Sequence, residues 1–230
     1  MPKALERPWQ ETERILREAA DESEAVLVAY SGGKDSLAVI DLCSRAFKRM
    51  EAFFMVFLPG LRCCQPLIDY AKERWGVTVR EYVHPQVVVS LQKEIFCPVR
   101  DKYGEYGDLE KLSIQDVYKV AAQETGIRLI ANGQRRSDYM FRASNARKAQ
   151  RTKTICPIVG WNKFDVLAYL KARNIPIPDA QKGTQTTGID LSIPRLLWLF
   201  DNYPDDFDRI SQVFPYVGAV PARREFYGLG

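Results

Sequence analysis

Six consecutive residues carry most of the chemistry in this chain: Ser31, Gly32, Gly33, Lys34, Asp35 and Ser36. They stand where the apolar run "AVLVAY" gives way to the helix-like pattern "SLAVIDLCSRAF". A turn from strand to helix presents unpaired backbone N–H groups and the positive end of the helix dipole. Glycines there permit dihedrals closed to other residues and let an anion come close to the backbone. Ser31 and Ser36 add hydroxyl donors, and Lys34 adds a point charge. In chemical terms the stretch is a phosphate cradle. It is not a Walker A loop, because Val28 stands where the first glycine of that motif belongs and Asp35 stands where it has Ser or Thr.

A second concentration of chemistry lies further on. From residue 135 to 153 the cations are Arg135, Arg136, Arg142, Arg147, Lys148, Arg151 and Lys153, against one acid, Asp138. The net charge of +4 alone implies no partner, but a local cluster of one sign implies an anionic one: nucleotide phosphates, sulfate or a nucleic-acid backbone. The bland alternative is a solvated basic loop.

Other chemistries find less support. The single histidine, His84, excludes a His-rich metal site, and no C-x-x-C spacing occurs among the five cysteines. Cys63, Cys64, Cys97 and Cys156 would need to converge from distant positions to hold a metal or an iron–sulfur cluster; buried or idle thiols are the simpler reading. An odd cysteine count without disulfide-like spacing suits a reducing compartment. No apolar run approaches a membrane span, and the first residues lack the apolar core of a secretory signal, so a cytoplasmic location is expected.

The elements that must position these residues follow from periodicity. Residues 9 to 22 read as an amphipathic helix, and "AVLVAY" as a strand covered on both faces. "AFFMVFLPG", "TVREYVH" and "IRLIANGQ" read as further strands. "PLIDYAKERWGV", "SIQDVYKVAAQETG" with Ser113 as N-cap, and "WNKFDVLAYLKARNIPIP" with Asn162 as N-cap read as helices, the last ended by its prolines. At 230 residues, 46% of them hydrophobic, the chain can bury one sizeable core. Alternation of strand and helix predicts an α/β fold: an open, mostly parallel, Rossmann-like sheet with helices on both faces. The chain reads as a single domain over 1–230, with its core over about 20–180 and a C-terminal helical extension over about 181–230.

On these residues the chain resembles a known family. "SGGKDS" after a buried strand resembles the signature of the ATP pyrophosphatases of the adenine nucleotide alpha hydrolase-like superfamily. "IANGQRRSDYMFRA" resembles the G-x-R-x-x-(D/E)-S-x-x-R block of the phosphoadenosine phosphosulfate (PAPS) reductase family. "CPIVGWNKFDVLAYLKARNIPIPDAQKG" resembles that family's P-I-x-x-W-x-x-x-D-V-x-x-Y-L segment. The resemblance covers about residues 20 to 190 and keeps the three motifs in order.

It implies roles. Ser31, Gly32, Gly33 and Ser36 would hold the β- and γ-phosphates of ATP, or the phosphates of PAPS or APS, with Lys34 neutralising charge. Asp35 would coordinate Mg²⁺ indirectly or serve only as a helix cap. Phe57 and Leu58 would border adenine, though apolar residues there fit a core equally well. Gly133 would let a strand end approach the nucleotide. Arg135, Arg136 and Arg142 would face the α-phosphate and an anionic second substrate. Lys34, Asp35, Arg135 and Arg142 would then be the catalytic set.

The departures from the family bear on activity. Its reductases carry a nucleophilic cysteine in a C-terminal E-C-G-x-H tail, whereas this chain reads "EFYGLG" there, with no cysteine after Cys156. Members with a 4Fe–4S cluster pair a C-C with a later C-x-x-C, and Cys63-Cys64 has no such partner. The expected function is therefore substrate adenylation with pyrophosphate release. The alternatives are a sulfonucleotide reductase and a non-catalytic nucleotide-binding subunit of a nucleic-acid modification system, docking nucleic acid through 142–153. A homo-oligomer or a complex subunit fits either case, and no membrane contact is expected.

Overall fold

A computed structural model describes residues 6–98, 109–139, 152–177 and 191–228. In chain order the elements are α1 (Glu6–Glu22), β1 (Ala25–Tyr30), α2 (Lys34–Ala46), β2 (Arg49–Val56), α3 (Gln65–Trp75), β3 (Val79–Val83), α4 (Pro85–Gln92) and α5 (Ile114–Thr125). After them come β4 (Leu129–Ala131), α6 (Arg136–Tyr139), β5 (Lys153–Ile155), α7 (Lys163–Ala172), α8 (Ile193–Asn202), α9 (Pro204–Val213) and α10 (Ala219–Tyr227).

The strands form one all-parallel sheet in the order β3-β2-β1-β4-β5. Val26, Leu27 and Val28 of the central strand are fully buried, as a strand covered on both faces requires. Successive side chains of β2 show the two faces. Phe53 meets Tyr118 of α5 edge-on, while Phe54 lies against Tyr30 of β1, whose hydroxyl donates to the Leu67 carbonyl of α3. Neighbours on a strand point to opposite sides, so α3 and α5 cover opposite faces. The α/β expectation holds, and the sheet is parallel throughout.

The described chain falls into two compact units. The first comprises Met1–Met55, Leu67–Glu81 and Tyr118–Gly188. There α2 lies on β1 and packs against α1 and α7. The second comprises Val56–Pro66, Tyr82–Val117 and Ile189–Gly230, so the C-terminal helices share a unit with two earlier segments. Its core includes Phe57, Leu196, Leu199, Phe207, Ile210 and Phe214. Asp206 of α9 accepts from the backbone N–H groups of Arg62 (3.0 Å) and Cys63 (2.8 Å). The Arg209 guanidinium donates to the carbonyls of Gly60 and Pro59.

Several local expectations differ in detail. The helix over 163–172 stops before its prolines, because Asn174 adopts a left-handed φ of 51°, a conformation asparagine tolerates. Three elements carried no sequence signal: α4, the four-residue α6 and the three-residue β5. Strands and helices that short contain too few residues to show a period. Among the described residues no helix is long and apolar enough to cross a membrane.

Candidate nucleotide site

In the order β3-β2-β1-β4-β5 the chain winds outward in one direction from β1 and in the other from β4. Ligands of open parallel sheets bind outside the carboxyl ends of the strands where that reversal occurs. Two segments of the first unit emerge there, Ser31–Lys34 after β1 and Asn132–Arg135 after β4.

The β1–α2 turn is shaped by one glycine and one serine. Gly32 has φ +69°, a conformation L side chains rarely adopt. Gly33, at φ −76° and ψ 160°, is extended and precedes α2 with no side-chain cap. The helix therefore begins with backbone donors that no capping side chain engages. The Ser36 hydroxyl accepts from the Ser31 N–H at 3.2 Å, donates to the Gly33 carbonyl at 2.9 Å and lies 3.2 Å from the Ser31 hydroxyl. Its hydroxyl holds the turn closed in this structure.

Lys34 is only 7% exposed, and its Nζ donates to Asp35 Oδ2 at 2.6 Å. The second segment comes up against the same carboxylate. A Cβ at Gly133 would lie 3.1 Å from the Asp35 Cβ and 3.2 Å from its carbonyl carbon, so glycine lets β4 exit this close to α2 without displacing Asp35. Arg135 follows, its side chain 14% exposed, with Nε 3.6 Å from Asp35 Oδ1 and 3.7 Å from Asp138 Oδ2. Those separations attract but are too long for hydrogen bonds. Asp35 Oδ1 and Arg135 Nε are both buried without a hydrogen-bond partner.

The two neighbouring arginines diverge. Arg136, 69% exposed, turns to Glu11 of α1 at 3.0 Å, and its N–H donates to the Val159 carbonyl at 2.7 Å. Arg142, Arg147, Lys148 and Arg151 lie outside the described residues, and Lys153 sits in β5 paired with Glu22. Phe57 and Leu58 belong to the second unit, where Phe57 is buried with its ring 6.0 Å from that of Phe214.

Three contributors carried little warning in the sequence. Asn132 is buried, and its Oδ1 accepts from the Gln134 N–H (3.0 Å) and the Cys156 thiol (3.2 Å), turning the chain toward Arg135. The Asn-Gly pair in "IANGQ" is a turn signal that would have pointed to it. Glu11 and Thr12 of α1 act across the first unit. The Thr12 hydroxyl donates to the Pro157 carbonyl at 2.7 Å and accepts from the Trp161 indole N–H at 2.8 Å. Nothing in α1 beyond its amphipathic pattern announces these contacts.

The thiols stand apart from this chemistry. Cys43, Cys63, Cys64 and Cys97 are buried and Cys156 is partly exposed. Burial pushes the Cys156 thiol up to about 11. The hydrogen bond with Cys64, burial and the nearby Asp206 carboxylate all push Cys63 upward. A thiol is a nucleophile only as thiolate. Native protein at about pH 7 is therefore expected to alkylate slowly with iodoacetamide at Cys156 and at no other cysteine until it is unfolded. Mass spectrometry of the labelled peptides checks this, and fast native labelling of Cys63 would contradict it. Among the described residues no group of three or more His, Cys, Asp or Glu side chains could hold a metal ion.

Comparison with known proteins bears on the fold and the family. A curated sulfate adenylyltransferase subunit 2 from Burkholderia lata is 24% identical over 201 residues, covering 75% of this chain; the chain spans 66% of that relative's length. Three solved structures share the fold at 16% identity. An NH3-dependent NAD synthetase from Campylobacter jejuni has a TM-score of 0.53 and covers 96% of this chain and 97% of its own. A U34-tRNA thiolase from Methanococcus maripaludis has a TM-score of 0.52, with 92% and 79% covered. A PAPS reductase from Candida auris has a TM-score of 0.51, with 77% and 87% covered. The family model for the phosphoadenosine phosphosulfate reductase domain matches residues 25–188, a span that holds both the glycine turn and the Arg135 segment. The chain is thus a member of the phosphoadenosine phosphosulfate reductase domain family.

Proposed function

We propose that the protein binds ATP at the β1–α2 turn and transfers its adenylyl group to an anionic second substrate, releasing pyrophosphate. The observation that carries this reading is the meeting of a glycine turn without a side-chain cap, the buried Lys34 and the shielded Arg135 at the reversal of strand order. Backbone N–H groups at the start of α2 bind phosphate oxygens, and Lys34 and Arg135 oppose the charge that develops as the bond between the α-phosphorus and the bridging oxygen breaks. The electron pair of that bond leaves with pyrophosphate, and an oxygen of the second substrate forms the new bond to phosphorus.

The residues fit Mg²⁺ held mainly by the nucleotide. Mg²⁺ commonly binds through one or two carboxylates plus substrate phosphates, and Asp35 offers a buried oxygen without a hydrogen-bond partner. Bound there, the ion would neutralise charge on the departing pyrophosphate.

Adenylyl transfer is favoured over sulfonucleotide reduction because attack on a sulfate sulfur needs a ready thiolate, and all five thiols are buried or raised or both. The stretch 142–153, proposed earlier as a nucleic-acid contact, falls largely outside the described residues and plays no part in this reading. The relative that carries the name of a subunit supports action within a complex.

The direct test incubates the protein with ATP, Mg²⁺ and candidate oxyanions and measures AMP and pyrophosphate, alongside exchange of labelled pyrophosphate into ATP. Sulfite release from PAPS with a thiol reductant, and no pyrophosphate from ATP, would replace this reading with the reductase one. Arg135→Ala is expected to weaken nucleotide binding tenfold or more, since a charge-assisted contact contributes roughly 1.5–3 kcal/mol. Arg136→Ala should change it far less, because that side chain is held at Glu11. Calorimetric titration of both variants decides the point, and equal losses would place the two arginines on one anion.

A further inference from the structure

Among the described residues the charges of the site balance. Lys34 and Arg135 are two shielded cations there, and one carboxylate faces both: Asp35 Oδ2 accepts from Lys34 Nζ at 2.6 Å, and Asp35 Oδ1 lies 3.6 Å from Arg135 Nε. Asp138 adds a second acid on the far side of Arg135, its Oδ2 3.7 Å from Nε and 3.2 Å from the Arg135 N–H. A Cβ on Gly133 would lie 3.1 Å from the Asp35 Cβ, so the end of β4 runs close to the base of this side chain. Two oxygens of one anion, each turned to a different cation, is also how a phosphate group would engage this pair.

We infer that Asp35 is an internal competitor for phosphate: its carboxylate occupies the two cations that the nucleotide must take over. This rests on the nucleotide reading of the site. Two consequences follow from the charges of these described residues. A polyphosphate without a metal gains little here, because it must compete with the carboxylate that already bonds Lys34 and already faces Arg135. A polyphosphate bringing a divalent cation supplies the charge that compensates Asp35 when its partners are drawn away. The site therefore selects the metal complex of the nucleotide over the free nucleotide, through exchange of partners around one aspartate. Neutralising Asp35 should accordingly tighten binding of metal-free polyphosphate while lowering turnover. A purely structural aspartate, or one that served only to cap α2, gives the opposite sign, because its loss would loosen every ligand.

The experiment titrates wild type, Asp35→Asn and Asp35→Ser with inorganic pyrophosphate and with ATP, first in EDTA and then in excess Mg²⁺, by calorimetry. Thermal melts confirm that each variant is folded, and the serine variant serves if the asparagine variant is not. Wild type is expected to bind both ligands more tightly with Mg²⁺. The variants should bind metal-free pyrophosphate roughly tenfold more tightly than wild type, the scale of one released charge-assisted contact, and gain less from Mg²⁺. Folded variants that bind metal-free pyrophosphate no better than wild type overturn the inference while leaving ATP binding by wild type intact. Wild type that binds neither ligand, with or without Mg²⁺, removes the nucleotide reading itself and this inference with it.

Discussion

Gly32→Val is expected to reduce nucleotide affinity on the order of a hundredfold, the loss of two backbone contacts to phosphate at roughly 1.5 kcal/mol each, while Gly33→Ala changes it only a few-fold. The difference comes from backbone conformation. Gly32 has φ +69°, a region where a β-branched residue is a genuine outlier. A Cβ there would also lie 2.9 Å from both methyl carbons of Leu67. That side chain can yield, so the dihedral is the decisive term. Relieving it by turning the 32–33 peptide re-aims the N–H groups at the start of α2. Gly33 is already extended, and a Cβ on it would meet only the Ser31 hydroxyl at an ordinary 3.5 Å. Titration with ATP and Mg²⁺, with circular dichroism to confirm the fold, measures both variants. Normal binding by Gly32→Val would show that the turn does not present its amides to the ligand.

The largest effect on stability should come from Asp41, at the middle of α2 and only 3% exposed. Its carboxylate accepts from Tyr169 Oη at 2.6 Å and Arg173 Nε at 2.9 Å, both contributed by α7 and its C-cap, and from Trp75 Nε1 of α3 at 3.1 Å. One side chain thus ties α3 and α7 to the helix that follows the glycine turn. Asp41→Ala leaves the Tyr169 hydroxyl and the Trp75 N–H without an acceptor, whereas the partly exposed Arg173 can turn to water. Two stranded donors at roughly 1–3 kcal/mol each predict a loss of about 3 kcal/mol, or a melting temperature lower by about 6–12 °C.

The pH dependence has a definite sign. Burial alone would raise the Asp41 carboxyl, but hydrogen bonds from Arg173, Tyr169 and Trp75, with the Arg173 charge, hold it below its ordinary range. A group depressed on folding contributes stability that is complete above its unfolded pKa, about 3.9, and is lost as pH falls through the lower folded value. The stability gap between wild type and Asp41→Asn in urea should therefore be constant at neutral pH and shrink below about pH 4. A gap unchanged into that range would mean that the charge of Asp41 contributes nothing beyond its shape.

Much of the site and fold was legible because it depends on neighbours in the chain. "AVLVAYSGGKDS" announced a buried strand, a glycine turn and a helix start, and all three formed at those residues. Asn162 and Asp165 cap α7 reciprocally, and the Ser113 hydroxyl accepts from the Asp116 N–H while the Asp116 carboxylate accepts from the Ser113 N–H. Such bonds close over three residues and need no tertiary partner. Hydrophobic period alone likewise marked β1 and α2.

What the amino-acid order left open was every relation between distant segments. Strand order, and with it the reversal that brings Gly133 against Asp35, is decided by how the helices cover the sheet, and no local pattern records it. Arg135 and Arg136 are indistinguishable as letters. One lies shielded between Asp35 and Asp138, and the other is drawn out to Glu11, because the turn set by Asn132 and the short α6 points adjacent side chains in different directions. No local pattern marks Asp41 as a tie between helices, since its partners lie 34, 128 and 132 residues away. Local chemistry marked the glycine turn; only the packed sheet decided which of two adjacent arginines lies beside Asp35 and which is drawn away to Glu11.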